Sequence, residues 1–182
     1  MTTKELAREI ERLLKAEGTE TEFEEDDGCF HVGTTVESKH FEFYVLIFTC
    51  FEDRVAATYI PPIEIRHESY PEVCDYLMRV NFQIPRGKVL LDYKNAKLRF
   101  VYHIDVATIE KDVEEALDEM FYAPLLAMEV IIPDFLAVMN KEKTPAGAAA
   151  DYDKGVDDFI KKFQEENGEV GNQRTRWASG RD

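Results

Sequence analysis

The chain has 182 residues, 45% of them apolar, and a formal net charge of −15 from 37 acidic against 22 basic side chains. That is enough apolar mass for one packed domain with an appendage. A surface this acidic repels phosphate backbones, which excludes non-specific nucleic-acid binding and leaves basic or apolar protein surfaces as fitting partners.

The chain opens with a helix. Thr2 or Thr3 can cap it, Leu6, Ile10, Leu13 and Leu14 form its apolar stripe, and Gly18 is a natural stop. The period then changes to two. Residues 20–25 read as a short polar strand around Phe23, Asp26-Asp27-Gly28 as a hairpin turn, and Phe30, Val32 and Thr34 as one face of the next strand. Residues 41–50 form the strongest strand. Its Tyr44-Val45-Leu46-Ile47-Phe48 run is apolar on both faces, which predicts a central strand covered on both sides or covered by a partner. Residues 55–60 give a fourth strand, ended by Pro61-Pro62 because proline cannot donate to the ladder.

Ser69 and Glu72 are spaced as a capping box for a second helix, whose apolar face is Val73, Tyr76, Leu77 and Val80. Pro85-Arg86-Gly87 ends this segment and leads into a hairpin around Lys94-Asn95-Ala96. Leu98, Phe100, Tyr102 and Ile104 alternate with polar neighbours, as a half-buried strand does. A long helical stretch follows to Met139. Pro124 and Pro133 each remove a helical hydrogen bond, so two or three kinked pieces are expected, with Pro124 the true break. Residues 144–150 read as a linker. Residues 151–166 read as an amphipathic helix anchored by Val156, Phe159, Ile160 and Phe163, and a polar tail carries the lone Trp177. The expected division is a domain over 1–140 and an appendage over 141–182.

Motifs that carry chemistry are scarce. The acidic run Glu22 to Asp27 lacks the calcium-loop pattern. Four scattered histidines form no HExxH, and glycine-rich phosphate loops and the GxSxG elbow are missing. Cys74 and His67 could meet in space, but Cys74 shares its helix turn with Asp75 rather than with the positive charge a reactive thiolate needs. The reading is therefore no catalytic, cofactor-binding or metal-binding residue and no cofactor. Cys29, Cys50 and Cys74 contain no C-x-x-C pair and fit a reducing compartment. No apolar core of a signal peptide opens the chain and no apolar run reaches the ~20 residues of a membrane span, so a cytoplasmic location away from membranes is expected.

Residues 3–139 resemble the YbjN family of bacterial sensory transduction regulators. The resemblance lies in the helix closing on Leu77-Met78-Arg79-Val80-Asn81, the Pro85-Arg86-Gly87 turn, the Leu91-Asp92-Tyr93 strand, the strand ending at Ile104-Asp105, and the proline of Ile132-Pro133 in the last helix. It implies a type III secretion chaperone-like fold, frequent dimerisation and the holding of partner polypeptides. It supplies no catalytic residue.

Together these readings predict an α+β domain, an antiparallel sheet with helices on one face, in the order α-β-β-β-(β)-α-β-β-α. The expected function is a non-enzymatic protein-interaction module, regulatory or chaperone-like and homodimeric, which binds an unknown partner polypeptide or its own copy. The expected interface residues are Tyr44, Leu46, Phe48, Tyr76, Val80, Phe159, Phe163 and Trp177. The competing class is a small-ligand sensor or enzyme whose site is built only in three dimensions. A third possibility is that residues 151–166 dock on the domain and block its partner groove.

Overall fold

A computed structural model describes residues 1–84, 86–152, 154 and 155. Phe159, Phe163, Trp177 and Pro85 lie outside the described residues. The element order is α1 (Thr3–Ala16), β1 (Glu22–Asp26), β2 (Cys29–Glu37), β3 (Phe43–Cys50), β4 (Arg54–Ile60), a 3-10 turn (His67–Ser69), α2 (Tyr70–Gln83), β5 (Lys88–Asp92), β6 (Lys97–Asp105), α3 (Val106–Ile109) and α4 (Val113–Met139). The chain is α+β, with helices packed against an open antiparallel sheet of six strands in the order β1-β2-β3-β4-β6-β5. Its contacts divide it into two compact units, residues 1–64 with 87–125 and residues 65–86 with 126 onward.

The first unit holds the sheet. Thr2 caps α1, its side chain accepting from the Glu5 N–H while the Glu5 carboxylate accepts from the Thr2 N–H. The helix ends before Gly18, whose φ of +81° turns the chain. Asp27 and Gly28 both take positive φ in the β1–β2 hairpin, as the Asp-Gly pair predicts. One face of the sheet is buried. It carries Val32 and Val36 of β2, Tyr44, Leu46 and Phe48 of β3, Ala57 and Tyr59 of β4, and Leu98, Phe100 and Tyr102 of β6. Helix α1 lies on this side, with Leu6, Ala7, Ile10 and Leu14 buried and the Arg8 guanidinium 3.4 Å from the centre of the Phe23 ring. The first half of α4 lies there too, because Tyr59 donates to the Phe121 carbonyl and Tyr102 to the Glu119 carboxylate.

The second unit is helical among the described residues. Helix α2 buries Val73, Tyr76, Leu77 and Val80, the face its sequence predicts. The capping box expected at Ser69 does not form. The Ser69 hydroxyl donates instead to the Met139 carbonyl at 3.0 Å, a tertiary bond to the end of α4 that outcompetes the local one. The segment read as a linker is helical at 145–152. The Thr144 hydroxyl and carbonyl accept from Gly147 and Ala148, and Ala148, Ala149 and Tyr152 are buried. Alanine is the strongest helix former, and burial of one face supplies what the short run lacks alone.

Helix α4 is one element of 27 residues, not the expected two or three pieces. Buried tyrosines donate to carbonyls near both prolines: Tyr59 to Phe121, ahead of Pro124, and Tyr76 to Ile131, ahead of Pro133. The division between the two units nevertheless falls one residue beyond Pro124, between Leu125 and Leu126. By length and composition alone α4 could cross a membrane. Met128, Ile131, Ile132, Phe135 and Val138 are buried within the chain, as in a core helix.

Candidate interaction surface

Each strand of the sheet presents every second residue to the face opposite the helices. On β3 that set is Phe43, Val45, Ile47 and Thr49. The register places Val45 and Ile47 beside Ile60 and Thr58 of β4 and beside Thr35 and Gly33 of β2, and it places Thr58 beside Val101 of β6. Val45, Ile47, Thr49, Thr58, Ile60 and Val101 are half-buried and Phe43 is exposed, whereas their neighbours along each strand are fully buried. Both helical elements of this unit that pack on the sheet lie on the other side. The result is an apolar strip across the middle of an open face.

The borders of the strip are charged with opposite sign. Glu22, Glu24 and Asp26 of β1 lie on this face and are exposed, and none of them is in an ion pair among the described residues. At the far border stand Lys88, Lys97 and Arg99, with Asp92 among them. The Asp92 carboxyl is held below the usual carboxylate range, chiefly by the Asn95 side-chain amide at 2.8 Å. The Asn95 backbone N–H and the Arg99 guanidinium, 2.5 Å away, add to the effect. This network fixes the β5–β6 turn, where Ala96 takes a φ of +52°.

Of the expected interface residues, Tyr44, Leu46, Phe48, Tyr76 and Val80 are fully buried. They build the core and present no surface in this structure. The surface lies on the alternate phase of the same elements: Val45 and Ile47 on β3, and Met78 and Phe82 on α2, at 72% and 93% exposure. Phe82 and Met78 are one helical turn apart and form a second apolar patch, within the second unit. The doubly apolar run 44–48 signalled that β3 has two faces to satisfy. Which subset meets the helices depends on the β2–β3 register, and a one-residue shift exchanges the two sets.

His67 and Cys74, the one pair weighed for nucleophilic chemistry, are occupied differently. The His67 ring packs on Tyr70 at 4.8 Å between centroids, and Cys74 is half-buried on α2. Among the described residues no group of three or more His, Cys, Asp or Glu is placed to hold a metal ion. His31 on the open face shares a hydrogen bond with Thr49 at 3.1 Å.

No protein-family model, curated protein or solved structure matches this chain.

Proposed function

We propose that the chain is a non-enzymatic protein-interaction module of regulatory or chaperone-like kind, working in the cytoplasm, with the open face of the sheet as its binding surface. The observation that carries this reading is the apolar strip Val45, Ile47, Ile60, Thr58 and Val101, bordered by charge, on a sheet whose other face already has its helices. Apolar surface rimmed by polar residues marks interaction sites for proteins, membranes or ligands, and the charged borders here favour a polypeptide. The sheet edges fit that role less well. Both edge strands are only five residues long, and β1 reads Glu-Phe-Glu-Glu-Asp, whose charges discourage a further strand from pairing. The net charge of −15 favours a polypeptide over a nucleic acid. The resemblance to the YbjN family agrees with this class.

A photoreactive phenylalanine analogue at position 47 tests the reading in cells that make the protein. It should yield covalent adducts with polypeptide, whereas the same probe at position 48, one residue along but facing the core, should yield none. Absence of adducts at position 47, or equal yields at both, would overturn it.

A further inference from the structure

We propose that this open face pairs with the same face of a second copy of the chain, about a two-fold axis running along the strands between β3 and β4. The inference rests on the interaction-module reading and names its partner. One cross-strand row carries it. The register aligns Glu22, Gly33, Ile47, Thr58, Val101 and Lys88 across β1, β2, β3, β4, β6 and β5 in that spatial order. Antiparallel partners share a face, so all six belong to the open side. The row begins in acid, ends in base and is small or apolar between.

Rotation about an axis along the strands lays the row on its own reverse. Glu22 then meets the second copy's Lys88 at both ends, and Ile47 meets the second copy's Thr58 at the centre. An axis across the strands would set Glu22 against Glu22, which like-charge repulsion opposes. The order of charges therefore selects one arrangement.

Gly33 supports the same arrangement independently. Reversal of the row places it opposite the second copy's Val101. The fold itself makes no demand for glycine there: a Cβ at this position would meet only Glu22, at 4.0 Å, and its φ is not in the left-handed range. A glycine in a strand interior weakens the strand unless something approaches its backbone closely. The valine of a second copy is that approach. The size is also suitable. Six strands at ~4.8 Å spacing and about 3.4 Å per residue along the eight residues of β3 give a face of about 780 Å². A standard interface uses ~800 Å² of accessible surface per partner.

Sedimentation velocity on the full chain across the micromolar range tests the proposal, with circular dichroism to show that each variant folds. The wild type should be a dimer that dissociates progressively as salt is raised. Ile47→Glu should weaken association at least ~100-fold by burying an unpaired charge. Gly33→Phe should keep the wild-type circular dichroism spectrum and still dissociate the dimer, which separates interface from fold. Glu22→Lys and Lys88→Glu should each weaken the dimer roughly tenfold, and the double variant should recover most of the loss. A wild-type monomer, a dimer indifferent to Gly33→Phe and Ile47→Glu, or a double variant no better than the singles would overturn the proposal. If the wild type is monomeric while a probe at position 47 still captures other polypeptides, the second copy is wrong and the interaction face stands. If position 47 captures nothing, both fall.

Discussion

The Tyr59 hydroxyl donates to the Phe121 carbonyl oxygen at 2.5 Å, tying β4 to α4 three residues ahead of Pro124. Proline lacks an N–H, so Pro124 cannot donate to the Met120 carbonyl four residues back, and the tyrosine binds the carbonyl next to it. Tyr59 is fully buried and its hydroxyl is pushed well above the ordinary tyrosine range, by burial first and by Tyr122 second. It stays protonated and stays a donor. The same bond fastens the helix to the sheet on the side away from the open face.

Tyr59→Phe removes this donor with little change in volume. The loss is that of one intramolecular hydrogen bond, about 0.5–1.5 kcal/mol. Urea unfolding should show the free energy of unfolding falling by that amount, through a lower midpoint at an unchanged slope. A variant as stable as the wild type would mean that the bond contributes nothing net.

Gly87 supplies a sharper contrast. Its φ is +77°, and a Cβ there would lie 2.7 Å from Phe100 Cε1 and 2.9 Å from the Val101 carbonyl oxygen. Phe100 is locked in the core and a backbone oxygen cannot step aside. Gly18, at φ +81°, has nothing within 4 Å. Gly18→Ala should therefore cost only the left-handed conformational penalty of roughly 1–2 kcal/mol. Gly87→Ala adds overpacking to the same penalty and should cost about 1–3 kcal/mol more. Equal losses in thermal unfolding would show that the close approach at Gly87 relaxes freely.

These features divide what the residues disclose from what they do not. Thr2, Gly18, the Asp27-Gly28 turn, Pro61 and the switches of period mark element order plainly, because each acts within one turn of the chain. Ser69 follows the same cap rule as Thr2 and yet bonds Met139, a contact 70 residues away that no local string encodes. Ala148 and Ala149 read as linker because their helix depends on burial against distant residues. The open face of the sheet was half legible. Tyr44 to Phe48 announced two apolar faces, but Ile47 and Leu46 are exchanged by a single step of register, and Met78 and Tyr76 by half a turn of helix. Gly33 carried the clearest unread signal, since a glycine inside a strand with room for a side chain asks what comes close to it.

Burial pushes the Cys50 thiol up to about 12 from an ordinary value of 9.0, with a smaller contribution from Cys29. In the unfolded chain the thiol ionises from pH ~9 upward, while in the folded chain it keeps its proton. The stability linked to this group is complete below that pH and is lost as pH rises toward 12, at up to ~1.4 kcal/mol per unit. Tyr59 and Tyr76, both raised mainly by burial, act in the same direction at higher pH. Cys50→Ala should flatten the decline in unfolding midpoint between pH ~9 and ~10.5. Identical declines in both proteins would remove Cys50 from the account. Alkylation should reach half-buried Cys29 before Cys50, which has no exposed surface.

Lys143 is the clamp of the second unit. Its ammonium donates to Asp134 at 2.6 Å and to Asp151 at 2.7 Å, and these two hydrogen bonds, Asp134 first, hold it above the usual lysine range. The same contact holds the Asp151 carboxyl below the usual carboxylate range. Asp134 belongs to α4 and Asp151 to the helical segment 145–152, so one side chain joins them. The Asp151 contribution is present above the unfolded carboxylate range and is lost as pH falls through its lowered value. The Lys143 contribution is present up to the unfolded lysine range and is lost as pH rises beyond it. At neutral pH the clamp is closed. Lys143→Gln leaves Asp134, mostly buried, facing Asp151 without a counter-charge. Amide hydrogen exchange should then quicken across 145–152 and remain unchanged in α1, and high salt should reproduce part of the effect in the wild type because Asp151 is exposed. Unchanged exchange at 145–152 would show that Ala148, Ala149 and Tyr152 hold the segment by apolar burial alone.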